Sequence, residues 1–147
     1  MIDAVLLMRK VTSLREHLSR AVRRRSDEFS TLRDDIDRQD ALSMSVLASI
    51  QDAVDIAFHL ASAQGWSIPA SYAESFEILA KHGVISADLV EPLISATALR
   101  NRIAHGYGSV DIERLWRELP SGLAALEGYA VAIATYVSVP KSGAPEK

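Results

Sequence analysis

Apolar residues recur at helical spacing along almost the whole chain. Leu7, Val11, Leu14, Leu18 and Ala21 alternate in steps of four and three, the single stripe of a first amphipathic helix. Ser26, followed by the acids Asp27 and Glu28, reads as an N-cap and a dipole-favoured first turn opening a second helical segment, with Phe29, Leu32 and Ile36 as its stripe. The polar interval from Arg38 to Asp40 either bends the chain or is simply exposed. A long helix then carries Val46, Ile50, Val54 (or Ala53), Ala57 and Leu60 and ends at Gly65. In the turn "GWSIPAS", Ile68 is extended because it precedes Pro69. Ser71 starts a short helix with Phe76, Leu79 and Ala80, closed at Gly83, and Ser86 caps a further helix running to His105. "VDIERLWREL" is helical, Pro120 breaks or kinks it, and "GLAALEGYAVAIATYVSV" is the last helix. The pattern predicts an all-α, up-and-down bundle of four to six helices. It forms one domain over residues 1–137, with 138–147 as a flexible tail.

Composition agrees with a folded domain: 48% of the 147 residues are hydrophobic and 24% charged, with seven glycines and five prolines. The absence of cysteine excludes disulfides and thiolate metal sites. A net charge of −3 argues against coating nucleic acid by bulk attraction. Its distribution is uneven, however. Seven basic residues between Arg9 and Arg25 meet only Glu16, and six acids follow between Asp27 and Asp40. Two solvated helix faces that attract one another account for this; a local phosphate-binding strip is the sharper alternative. No signal-peptide pattern is present, and "GYAVAIATYVSV" falls short of the roughly 20 residues a bilayer span needs. The expectation is a soluble, cytoplasmic protein with no membrane contact.

Chemistry concentrates in "RNRIAHGYGSVD", Arg100 to Asp111. At about 100° per residue, Leu89, Leu93, Ala96, Leu99 and Ile103 form a core stripe, and Arg100 falls inside it. An unpaired guanidinium in an apolar core costs several kcal/mol, so Arg100 requires a carboxylate, a phosphate or a wet interface. Asp52 and Asp55 on the long helix are candidate partners. Asn101 and His105, four apart, share a face, whereas His105 lies about 140° around from Arg100. The last turn of a helix favours a protonated imidazole. Gly106 and Gly108 release the chain and leave Tyr107 on a turn. On the residues alone, Asn101 and His105 hydrogen-bonded at a helix end, with Tyr107 covering it, is a sufficient account.

"RNRIAHGY" nevertheless resembles the R-N-x-x-x-H-x-Y signature of HEPN domains, specifically of HepT-like proteins, the toxin half of HEPN/MNT toxin–antitoxin pairs. The likeness spans Ile50 to Trp116. It includes the D-x-x-x-H-L helix end at Asp55–Leu60, the P-x-S-Y-x-x-x-F-x-x-L helix at Pro69–Leu79, and H-x-Y-x-x-V-D at His105–Asp111. Ala104 is smaller than the aliphatic residue often found before the histidine. The resemblance implies a HEPN-type bundle that dimerises, and a metal-independent endoribonuclease needing no cofactor, part of a type VII-like system. Both motif copies would face a shared cleft, with Arg100, Asn101 and His105 catalytic. It further implies that Tyr107 receives AMP from the partner MNT nucleotidyltransferase, the antitoxin, which silences the nuclease. The chemistry is coherent: 2′-OH attack needs a base, an acid and positive charge on the phosphate.

The four histidines match no metal-site spacing: His59 and His82 read as core-edge and C-terminal-turn residues, His17 lies on the basic helix, and Trp66 and Trp116 read as packing anchors. The alternative function is a non-catalytic HEPN module for helical dimerisation or nucleotide binding. A purely structural four- or five-helix module is a third reading, against which Arg100 counts.

Overall fold

The computed structural model describes residues 2–105 and 111–139, with residues 104 and 105 described by backbone alone. Among these are six α-helices: α1 (Ala4–Arg25), α2 (Phe29–Arg33), α3 (Ile36–Ala63), α4 (Tyr72–Lys81), α5 (Val90–His105) and α6 (Ile112–Ser138). A 3₁₀ turn, Ala87–Leu89, leads into α5, and no strand occurs among the described residues.

Cross-helix pairs fix the topology. Lys10 meets Asp55 while Arg24 meets Ala41 and Ser45, so α1 and α3 run antiparallel. Arg15 meets Glu127 and Arg25 meets Trp116, so α1 and α6 are antiparallel as well. Tyr129 bonds to Ala53 and Tyr136 to Gln64, which sets α6 parallel to α3. The α5–α6 contact is antiparallel and close. A Cβ built on Gly122 would lie 3.3 Å from Leu99 Cδ1, and one on Gly128 would lie 3.3 Å from Leu89 Cδ2.

The expected α1 stripe, Leu7 to Ala21, is the buried one. It joins Ile50, Ala53, Ile56, Ala57 and Leu60 of α3, Leu93 to Ile103 of α5, and Leu115 to Ile133 of α6 in one core. Tyr129 is fully buried at its centre; its hydroxyl donates to Ala53 O at 2.7 Å, and Phe76 meets its ring edge-on. Burial pushes the Tyr129 phenol well above its ordinary value, so it stays a neutral donor. α3 is also long and apolar enough to cross a membrane, by length and composition only. More than half of that apolar window is buried within the protein.

Gly65 (φ +70°) and Gly83 (φ +75°) end α3 and α4 as expected. In each case the residue after the glycine bonds back five positions, Trp66 N–H to Ala61 O and Val84 N–H to Leu79 O, closing the open carbonyls. Two boundaries differ from expectation. Ser26 is the C-cap of α1 rather than an N-cap, and α2 stops after five residues. Asp35, accepting from Arg38 N–H at 3.0 Å, caps the start of α3. Ile36 therefore opens α3 and is exposed instead of joining the α2 stripe.

Of the two outcomes open at Pro120, a break or a kink, the break does not occur: α6 runs unbroken through the proline. A proline has no N–H to offer the carbonyl four residues back, here that of Trp116. Arg25 Nε donates to Trp116 O at 2.8 Å, and the guanidinium carbon lies 4.3 Å from the Trp116 ring centroid. The indole Nε1 in turn donates to Ser26 O at 2.9 Å. This holds Ser26 at φ 62°, ψ 149°, a conformation that costs a non-glycine residue about 1–3 kcal/mol. Arg25→Ala is expected to destabilise the fold by about 2 kcal/mol in denaturant titrations, the cost of an orphaned, part-buried carbonyl. Pro120→Ala in that background restores part of the loss, because residue 120 regains its N–H.

The basic face of α1 is largely consumed by such bracing. Lys10, Arg15, Arg24 and Arg25 all bind groups on α3 or α6, so the carboxylates they meet are chiefly Asp55 and Glu127, not the Asp27–Asp40 block. Arg25 does lie 3.8 Å from Asp27.

Candidate functional site

Helix α5 carries the expected core stripe. Leu93, Ala96, Leu99 and Ile103 are all buried, and Arg100 beside them is half-buried. The residue that receives it is Tyr72, the first of α4: the Arg100 guanidinium carbon lies 5.6 Å from the Tyr72 ring centroid. Tyr72 is itself well fixed. Ser71 Oγ caps α4 by accepting from Glu74 N–H at 3.0 Å, and the Glu74 carboxylate reaches back to Ala70 N–H. Ser75 Oγ donates to Tyr72 O at 2.6 Å.

The candidate carboxylate partners of Arg100 are engaged elsewhere. Asp52 accepts from Ser13 Oγ at 2.6 Å, and Asp55 takes Lys10 Nζ at 3.3 Å and Gln51 Nε2 at 2.9 Å. Both sit on the side of α3 that packs against antiparallel α1, which is why neither serves α5. Among the described residues Arg100 makes no ion pair and rests on an aromatic face instead. An aromatic quadrupole steadies a guanidinium without neutralising it, so its hydrogen-bond donors stay available to an anion.

Asn101 is exposed one position on, and the α5 backbone is helical through His105. Arg100, Asn101 and His105 thus occupy the last two turns of one helix. Tyr107, with Gly106 and Gly108, lies outside the described residues.

Three further residues near the facing ends of α5 and α6 were not singled out from sequence. Arg102 Nη2 donates to Glu118 Oε1 at 2.6 Å, and Arg114 Nε donates to Glu118 Oε2 at 2.8 Å. One carboxylate of α6 therefore binds an arginine of α5 and another of its own helix. The Arg114–Glu118 spacing of four was legible as an intrahelical pair; the reach to Arg102 was not. The hydrogen bond from Arg114, then that from Arg102, holds the Glu118 carboxyl below its ordinary value. A depressed carboxyl contributes its stability fully above the unfolded value of about 4.5 and loses it as pH falls through the folded value. Glu118→Gln is therefore expected to flatten part of the decline in Tm that the wild type shows below that pH. The difference is small, because the group is well solvated.

Elsewhere, His82 stacks on Trp66 with ring centroids 4.0 Å apart and planes within 5°, and Trp116 packs on Phe29 and Arg25. Both tryptophans serve as packing anchors. Among the described residues no three His, Asp or Glu side chains gather in a way that could hold a metal.

Comparison with known proteins adds the following. The family model described as ribonuclease HepT-like matches residues 10–133. The mRNA nuclease HepT of Shewanella oneidensis is 24% identical over 108 residues, covering 74% of this chain and 80% of that protein. A solved tri-AMPylated Shewanella oneidensis HEPN toxin in complex with MNT antitoxin superposes with a TM-score of 0.79 at 23% identity, covering 92% of this chain and 99% of that one. The Bacillus subtilis cytosolic protein of unknown function YutE superposes with a TM-score of 0.78 at 18% identity, over 92% of this chain and 91% of that one.

Proposed function

The chain belongs to the HepT-like ribonuclease family, and from that premise we propose that it is the RNA-cutting toxin of a type VII-like HEPN/MNT pair. On this reading it is a cytoplasmic, metal-independent endoribonuclease, active as a homodimer and opposed by a nucleotidyltransferase antitoxin. The observation that carries it is Arg100: a half-buried guanidinium within the core-facing stripe of α5, resting on Tyr72 while Asp52 and Asp55 bind α1. A half-buried cation that rests on an aromatic face and makes no ion pair among the described residues suits a phosphodiester, which its planar fork can hold bidentately.

The reaction then follows from two histidines. In a two-fold dimer one His105 takes the proton of the ribose 2′-OH, whose oxygen attacks the adjacent phosphorus. The P–O5′ bond breaks, and His105 of the partner subunit gives its proton to the departing 5′-oxygen. The products are a 2′,3′-cyclic phosphate and a free 5′-hydroxyl. Arg100 offsets the charge gathering on the phosphoryl oxygens, and Asn101 orients His105 or contacts substrate.

Tyr107 is the AMP acceptor on this reading, a role in keeping with the tri-AMPylated, antitoxin-bound toxin to which the fold is similar. AMP on Tyr107, two residues after His105 in sequence, would add bulk and negative charge to the motif and repel RNA. The test is cleavage of RNA by the purified protein in EDTA, with end-group analysis and the mass of Tyr107 determined. Cyclic-phosphate ends from unmodified protein support the proposal. No cutting by unmodified protein would move the assignment to the non-catalytic dimerisation or nucleotide-binding module. The internal engagement of Lys10, Arg15, Arg24 and Arg25 favours that second reading, since it removes much of the basic surface RNA would use.

A further inference from the structure

We propose that Glu118 is a positioning residue of the active site. It clamps the last turn of α5 to the start of α6 and so sets where His105 is presented. The inference rests on the ribonuclease reading above and concerns residues that the motif itself does not use.

The argument starts from the seam between the two helices. At Leu99 and Gly122 the helices touch: a Cβ on Gly122 would lie 3.3 Å from Leu99 Cδ1, so only a residue without a side chain fits without a shift. One turn further along α5, toward its end, the seam changes character. Arg102 reaches across to Glu118, one turn earlier in α6, at 2.6 Å. His105 follows Arg102 by three residues, about 4.5 Å of helix rise, and is the last residue of α5. The Arg102–Glu118 bond is thus the cross-helix tie one turn from the proposed acid–base group.

Glu118 is also held from its own side. Arg114 Nε takes the second carboxylate oxygen at 2.8 Å, so both oxygens are engaged and the carboxylate plane is fixed. Asp111 caps α6 by accepting from Arg114 N–H at 3.1 Å, so the residue that braces Glu118 is seated in the first turn of the same helix. The chain between the ends of α5 and α6, residues 106–110, is therefore flanked by two helix ends tied to one carboxylate.

The magnitudes separate positioning from stability. All three side chains are more than a third exposed, and an ion pair of this kind shifts an equilibrium by a factor of about five at most. Its loss leaves the core intact. A displacement of about 1 Å at a reacting group, in contrast, is enough to cost a large share of turnover. Loosening the clamp is expected to act on kcat and to leave RNA binding through Arg100 unchanged.

The experiment compares wild type, Arg102→Ala, Glu118→Gln, the double variant and Arg114→Ala in steady-state RNA cleavage. Thermal unfolding and amide hydrogen exchange of the last α5 turn are recorded for each. Arg102→Ala and Glu118→Gln should each lower kcat about fivefold with KM within about twofold and should speed exchange in that turn. The double variant should fall no further, since both changes break one bond. Arg114→Ala, which removes the brace on Glu118 but leaves the cross-helix bond in place, should cost less than Arg102→Ala. The proposal is overturned if Glu118→Gln retains wild-type kcat, or if Arg114→Ala is as damaging as Arg102→Ala. Failure of unmodified wild type to cleave any RNA overturns the ribonuclease reading and this inference with it, and is told apart by being seen before any substitution is made.

Discussion

His105→Ala is expected to abolish RNA cleavage without unfolding the protein. If the two-fold site takes its base from one protomer and its acid from the other, a single substitution removes both. General acid–base groups contribute about 10²–10⁴-fold each, so kcat should drop by at least about 10³. The wild-type dependence of kcat/KM on pH should be bell-shaped, with both limbs belonging to the imidazole pair. Mixing His105→Ala with a second variant inactive through Arg100 gives a sharper check. Each mixed dimer keeps only one His105 and should stay inactive, whereas recovered cleavage would show that a single imidazole suffices. Cleavage by His105→Ala within tenfold of wild type would remove His105 from the mechanism, and the assignment would fall with it.

The second large effect belongs to Arg100. Arg100→Ala should lower kcat/KM by about 10²–10³, the range seen when one preorganised donor to a developing oxyanion is lost. Arg100→Lys should recover only a fraction, because an ammonium cannot make the bidentate contact. Stability should fall by no more than the Tyr72 contact is worth, a smaller free-energy loss than that in cleavage. Arg100 has no ion pair among the described residues, and its contact with Tyr72 is worth about 0.5–2 kcal/mol. That combination excludes a structural role, for which the loss would appear in the denaturation midpoint instead. Tyr72→Phe should behave like wild type and Tyr72→Ala should weaken RNA binding, since it is the ring face that meets the guanidinium.

Much of this fold was legible in the sequence because its cues are local. The α1 stripe, the glycines ending α3 and α4 and the Ser71 cap each depend on residues within one turn of one another. What escaped depends on distant residues. Nothing near Pro120 reveals that Arg25, some 95 positions earlier, satisfies the carbonyl the proline orphans, so the sequence alone leaves a break or a kink open where the helix is continuous. Asp35 was hidden in a run of acids, and the division between α2 and α3 was missed with it. For the site, the motif helix and the anomaly of Arg100 were visible, and the anomaly was real. Its resolution was not the expected one. Asp52 and Asp55 are common Arg partners by chemistry, but which way a helix turns its carboxylates is decided by its neighbours, and here α1 takes both. Tyr72 and Glu118 could be read only once α4 and α6 were placed beside α5.

The parallel seating of α6 beside α3 has a consequence for when the proposed site is assembled during synthesis. Chains emerge from the ribosome N-terminus first, and α6 follows the other five described helices. Until it arrives, α3 lacks Tyr129 and Ile133, the Trp116 carbonyl that receives Arg25 does not yet exist, and Arg102 has no carboxylate to grip. A nascent polypeptide that already displays Arg100 and His105 is thus still without the scaffold that would aim them. On the ribonuclease reading, the message being translated, itself an RNA, meets an assembled site only after α6 has been synthesised.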